Sequence, residues 1–263
     1  MPLLNAAIVT HSPILIPEIG KLNQKLLKKT ADSYAELASE IQGNDIETIV
    51  IISPHGQIQA KYFTINVGPE LQIDLSSFGF LGANKKFLSD LDFIQSLKNT
   101  DGAEIQLISD SKLDYGSSVP LHLLTNAMPD VKIVSINYAG ELDLGEHIIL
   151  GQRINQVISS LSKRVAVIAS GDLSHRLKKN SPSGYSPKGA KFDSKLIEFL
   201  NEPQTAKENI LHMDNKLIQD ASECGLKSIV TILGVLDDKN YESEVMSYQT
   251  DLGIGYLMMN FKL

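Results

Sequence analysis

Three short stretches of the chain are apolar at every position rather than at alternate ones: residues 6–9, 49–52 and 165–169. A fourth, residues 131–136, belongs with them despite Lys132 and Ser135. β-Branched side chains dominate these runs, which is the pattern of strands covered on both faces. They predict the centre of one largely parallel sheet.

Between these runs the apolar spacing changes to that of helices. Residues 21–41 place Leu22, Leu26, Leu27, Ala31, Tyr34, Leu37, Ala38 and Ile41 on one stripe, with Lys and Glu opposite, and connect the first strand to the second. Residues 145–161 repeat the scheme with Ile148, Ile149, Ile154, Val157, Ile158 and Leu161, and feed the strand at Val165. Residues 62–80, with Gly68-Pro69 in the middle, predict antiparallel edge strands or a hairpin, and residues 245–248 and 255–261 predict two closing strands. The alternation implies an α/β fold: one domain over residues 1–263, with a mixed, mostly parallel central sheet flanked by helices on both faces. No internal repeat is visible. Residues 180–189 form the one long turn-rich loop.

Composition narrows the classes of function. At 263 residues, with 43% hydrophobic and 21% charged side chains, the chain can bury one sizeable core. Its net charge of −7 argues against nucleic acid or an anionic membrane as partner. The densest basic run, Arg176-Leu177-Lys178-Lys179, reads as a solvated loop. Cys224 is the sole cysteine, so no intramolecular disulfide can form and a reducing compartment fits. With no basic leader and no apolar run near ~18 residues, the expected location is the cytoplasm.

The histidines carry the chemical signal. His11 follows the first predicted strand in Thr10-His11-Ser12-Pro13, His55 the second in Ser53-Pro54-His55-Gly56, and His175 another in Gly171-Asp172-Leu173-Ser174-His175. Ligands of open α/β sheets bind beyond the carboxyl ends of the strands, so three of six histidines aim at one sheet edge. Pro13 and Pro54 stiffen the backbone beside two of them. His122, His147 and His212 fall in predicted helices and read as structural or surface residues.

Two neutral imidazoles on a metal call for a third, anionic ligand, and a 2-His-1-carboxylate set leaves positions open for substrate and dioxygen on Fe(II). Glu223 is the candidate, in Ala221-Ser222-Glu223-Cys224-Gly225, where Ser222 is placed to cap a following helix through Ile229 to Leu233. Cys224 is the alternative ligand, since a thiol at a helix N-terminus is readily ionised. His175 then has the properties of the acid/base residue, with Asp172 orienting it or capping the next segment.

Taken together, Thr10-His11-Ser12-Pro13, Ser53-Pro54-His55-Gly56, Asp114-Tyr115-Gly116-Ser117-Ser118-Val119-Pro120-Leu121, Gly171-Asp172-Leu173-Ser174-His175 and Glu223-Cys224-Gly225 resemble the class III extradiol ring-cleavage dioxygenase superfamily. The likeness is to the protocatechuate 4,5-dioxygenase beta-subunit type and, more closely, to its Memo-like relatives. It spans nearly the whole chain. It implies His11, His55 and Glu223 as iron ligands, His175 as acid/base, and Asp114 and Tyr115 in the substrate pocket. It also implies Fe(II), a small aromatic substrate and dioxygen, without nicotinamide or flavin. Homo-oligomer formation is left open.

Two departures matter. Ring-cleaving relatives commonly carry His where this chain has Tyr115, and a phenol with an ordinary pKa of about 10 is no proton carrier near neutrality. The Cys224-Gly225 pair resembles the Memo branch, whose metal site uses a Cys. Three readings therefore compete: an Fe(II) extradiol dioxygenase, a Memo-like metal-binding or redox-linked protein that cleaves no ring, and a zinc-dependent hydrolase, with zinc or copper as alternative metals.

Overall fold

The computed structural model describes residues 2–263. Ten strands run in chain order as β1 (Leu3–Val9), β2 (Thr48–Ser53), β3 (Phe63–Asn66), β4 (Glu70–Gln72), β5 (Lys86–Leu88), β6 (Ile105–Ile108), β7 (Lys132–Asn137), β8 (Val165–Ser170), β9 (Glu242–Gln249) and β10 (Tyr256–Lys262). The α-helices are α1 (Pro17–Gly20), α2 (Lys28–Gly43), α3 (Leu91–Lys98), α4 (Tyr115–Leu124), α5 (Leu144–Ser160), α6 (Pro187–Leu200), α7 (Ala206–Leu211), α8 (Asn215–Ala221) and α9 (Leu226–Val235).

Eight strands form one sheet in the order β6-β3-β7-β2-β8-β1-β10-β9. The four runs that are apolar on both faces, β7, β2, β8 and β1, are mutually parallel neighbours at its centre. β10 lies antiparallel beside β1 and β9 antiparallel beside β10, so the two tail strands close one side as expected. Alternate residues of each central strand feed two separate cores. Val50, Ile52, Val167 and Ala169 pack towards α3, α5, α6 and α9, while Ile49, Ile51, Ala166 and Ile168 pack towards α2 and α4. The chain is thus an α/β fold with a mostly parallel sheet and helices on both faces. Among the described residues no helix is long and apolar enough to cross a membrane.

Four local expectations are corrected. Residues 21–41 are not one α-helix: Lys21–Leu27 is a 3-10 segment and α2 begins at Lys28. Lys21 has φ +48, which breaks the turn, and Leu22 is 82% exposed, so helical spacing there does not mark a buried stripe. In residues 62–80, β3 joins the main sheet, parallel to β6 and antiparallel to β7, while β4 pairs with β5 in a separate two-stranded sheet. The turn-rich loop ends at Ser186, whose side chain caps α6 by accepting from the Lys188 N–H, so Pro187 to Gly189 are already helical. Ser222 closes α8 in the left-handed conformation with φ +53, and the N-cap of α9 is Gly225, so Ser222 does not cap that helix.

Candidate metal centre

Because β2, β8 and β1 are parallel neighbours, the residues leaving their carboxyl ends emerge side by side. β1 and β2 flank β8, and at about 4.8 Å per strand they lie roughly 10 Å apart. Their two imidazoles reach towards each other across the end of β8. His11 Nε2 and His55 Nε2 stand 3.0 Å apart.

The third donor arrives from the other end of the chain. Cys224 Sγ lies 3.7 Å from His11 Nε2 and 3.8 Å from His175 Nε2. Local backbone geometry brings it there. Gly171, just past β8, touches Gly225, just before α9, so closely that a Cβ on Gly171 would overlap the Gly225 Cα. That approach lets the Cys224 and Gly225 N–H groups both donate to the Asp172 carbonyl, at 3.3 and 3.0 Å. His175 is pinned to the same junction, its N–H donating to the Ala221 carbonyl at 3.1 Å.

His11 Nε2, His55 Nε2 and Cys224 Sγ all lie within 4.8 Å of one another. Bonds of about 2.0–2.3 Å from nitrogen and sulfur to a divalent ion, at angles between right and tetrahedral, separate donors by about 3–3.6 Å. The 3.0 Å between the two Nε2 atoms and the 3.7 Å from Cys224 Sγ to His11 Nε2 are close to that range, and two imidazoles with a thiol suit Fe, Zn or Cu. Glu223 is turned elsewhere. Its carboxyl accepts from the Leu226 N–H at 2.6 Å, ahead of α9, and burial pushes it up to about 7, against the pull of the Leu226 and Gly225 N–H groups and of Lys227.

Asp172 is 5% exposed, and its carboxylate faces His11 rather than the His175 ring. It accepts from the His11 N–H at 3.2 Å and from the Thr10 hydroxyl, while its second oxygen lies 3.7 Å from His11 Nε2. Tyr34 donates its hydroxyl to the Thr10 carbonyl, fixing the turn from beneath. Burial, and next the facing His11, hold His55 down to about 3, so its ring is neutral and free to act as a ligand. Burial likewise lowers His175 and pushes the Cys224 thiol up.

Tyr115 forms a wall of the site. Its ring stacks on His55 at 4.2 Å between centroids, its hydroxyl is 2.8 Å from His55 Nε2, and Phe78 packs edge-on against it at 5.3 Å. Burial raises its pKa, so the phenol stays protonated. Asp114 caps α4 by accepting from the Ser117 N–H at 3.1 Å and also accepts a hydrogen bond from the Ser53 hydroxyl; its carboxylate aims Tyr115 through the backbone. On the α9 side, Lys227 donates to the Ala139 and Gly140 carbonyls and lies over the Tyr138 ring at 5.4 Å.

A family model described as the catalytic LigB subunit of aromatic ring-opening dioxygenase matches residues 5–259. The chain belongs to this LigB family. Proteins similar to it include protein CA_C1420 of Clostridium acetobutylicum, 31% identical over 97% of this chain. The chain spans 56% of that protein's length. The 3,4-dihydroxyphenylacetate 2,3-dioxygenase of Escherichia coli is 26% identical over 92% of this chain and 93% of its own. In fold, the chain resembles an uncharacterized Escherichia coli K12 protein of known crystal structure, with a TM-score of 0.71 over 98% of this chain and 99% of the other at 15% identity.

Thr10, Tyr34, Ser53, Ser170, Phe78, Tyr138 and Lys227 surround this cluster, although sequence alone assigns none of them a role in it. Ser53 and Ser170 leave a trace there: each is a hydroxyl residue that ends a strand directly after an apolar run.

Proposed function

We propose that this LigB-family chain is a non-haem, metal-dependent dioxygenase that opens the ring of a catecholic substrate, with His11, His55 and Cys224 holding the metal. The observation that carries the reading is the meeting of two histidines, from the carboxyl ends of the parallel strands β1 and β2 that flank β8, with a cysteine from the turn before α9. Family membership over nearly the whole chain supports the aromatic substrate and dioxygen as reactants. Fe(II) bound there supplies the dioxygen chemistry that no side chain can perform.

The remaining work falls to the chain's own groups. His175, with Nε2 3.8 Å from Cys224 Sγ, stands beside the donor cluster and holds or releases the proton of a substrate hydroxyl at Nε2. Burial lowers its pKa, so at neutrality the ring is unprotonated and receives that proton. Tyr115 offers a phenolic O–H as donor and a ring face for an aromatic substrate to pack on. Asp172 fixes the His11 backbone and stabilises positive charge at the cluster. Lys227 is held by two carbonyls and Glu223 by a helix N-terminus, so both shape the site.

A second reading is favoured by Cys224 in the cluster and Tyr115 where ring-cleaving relatives carry His: a Memo-like metal-binding or redox-linked protein without ring cleavage. The deciding experiment loads the protein anaerobically with Fe(II), confirms occupancy, and follows oxygen uptake with a catechol panel. Uptake with a yellow ring-opened product supports the dioxygenase. Silence across the panel at full occupancy favours the second reading. Purified protein holding zinc without iron would support a hydrolase instead.

A further inference from the structure

Ser170 ends β8 fully buried, in contact with one of the proposed ligands but outside the cluster itself. Its Oγ lies 2.6 Å from the Gly116 carbonyl oxygen and 3.0 Å from His11 Nδ1. A serine hydroxyl has one proton. A carbonyl can only accept, so that proton goes to Gly116, and the serine oxygen must accept from His11. The only donor His11 can offer there is Nδ1–H. In the neutral ring this leaves Nε2 bare, with its lone pair directed at His55 Nε2 and Cys224 Sγ.

We infer that Ser170 is a positioning residue that locks His11 in its Nδ1–H tautomer, so that Nε2 is already the free donor before any metal arrives. The relay His11 Nδ1–H to Ser170 to Gly116 carbonyl also ties this ring to the first turn of α4. The residue before Gly116 is Tyr115, whose ring stacks on His55, so one serine fixes both imidazoles relative to each other. Gly116 has no room for a side chain: a Cβ there would stand 2.5 Å from Ser53 Oγ and 3.2 Å from His55 Cδ2. Its carbonyl is therefore held at a fixed place for Ser170 to reach. Without Ser170 the buried Nδ1 has no partner, and the ring gains by moving its proton to Nε2, where His55 and Asp172 can accept it.

The value of the lock for metal binding rests on the ligand set proposed above; the tautomer does not. The test starts with metal-free protein carrying 15N-histidine, at mildly alkaline pH where imidazole is neutral. Long-range 1H–15N spectra should show His11 protonated at Nδ1 in the wild type, at Nε2 or mixed in Ser170→Ala, and back at Nδ1 in Ser170→Thr. Anaerobic Fe(II) titration should then show affinity reduced about 10–100-fold in Ser170→Ala and largely restored in Ser170→Thr. An Nε2–H tautomer in the wild type overturns the inference, even if Ser170→Ala fails to fold. So does a Ser170→Ala spectrum identical to wild type. A wild type with Nδ1–H that binds no Fe(II) upholds the serine's role and sinks the metal reading instead.

Discussion

His11 Nε2 faces His55 Nε2 at 3.0 Å, although the two residues are 44 positions apart and leave different strands. Two imidazole nitrogens cannot rest at that distance as bare acceptors. A proton or a cation has to lie between them, and the neighbouring Cys224 sulfur and Tyr115 hydroxyl decide which is favoured.

Cys224→Ser should therefore weaken Fe(II) binding by more than about 100-fold, since loss of an outer partner alone costs 10–100-fold. Glu223→Gln should leave affinity within about threefold, because the amide oxygen still accepts from Leu226 N–H. Anaerobic titration of both variants checks this. The reverse pattern would transfer the third ligand to Glu223.

Tyr115→Phe keeps the ring stacked on His55 and removes only the hydroxyl. The expected result is an unchanged metal content with turnover on a catechol lowered about 10-fold, the worth of one good hydrogen bond at a reacting centre. Equal turnover by oxygen electrode would remove the phenol from the chemistry.

Asp193 provides a pH test away from the metal. It is fully buried and accepts from Ser174 N–H at 2.8 Å and from Tyr248 O–H at 2.6 Å, yet burial lifts its carboxyl to about 6 from an ordinary 3.8. Between those two values the folded chain holds a proton that the unfolded chain has released. Stability contributed by this group therefore falls as pH rises through that window, by up to about 3 kcal/mol, and is level above it. Urea melts of Asp193→Asn should show that slope removed. A pH profile parallel to wild type would contradict the raised pKa.

Gly151 and Gly234 let α5 and α9 touch along their backbones, and a Cβ on Gly151 would overlap the Thr231 carbonyl oxygen. Gly151→Ala should cost about 1–3 kcal/mol by forcing the helices apart. Because α9 begins two residues after Cys224, the same variant should loosen metal binding. A melting temperature within a degree or so of wild type would show that the contact can relax.

The central sheet was legible because β1, β2 and β8 are buried on both faces and so are mostly apolar, and β7 keeps Ile133, Val134 and Ile136 despite its polar positions. Short, half-exposed strands such as β5 and β6 carry no such record. His11, His55 and His175 were legible as strand-end histidines. Sequence could not choose between Glu223 and Cys224, because adjacent residues differ in direction only once the backbone turn is known. The left-handed Ser222 supplies that turn, and polar side chains such as Ser170 or Tyr34 look ordinary until their partners are seen.

The separation of the donors along the chain has a consequence for biosynthesis. His11 and Cys224 are 213 positions apart, and the cysteine reaches its place only when the backbone before α9 docks on the end of β8. A ribosome releases the imidazoles long before the thiol, so a nascent chain can present only a two-nitrogen site. On the proposed ligand set, high-affinity capture awaits synthesis of the segment through α9 and its docking on β8, so the metal is acquired after this part of the chain has folded.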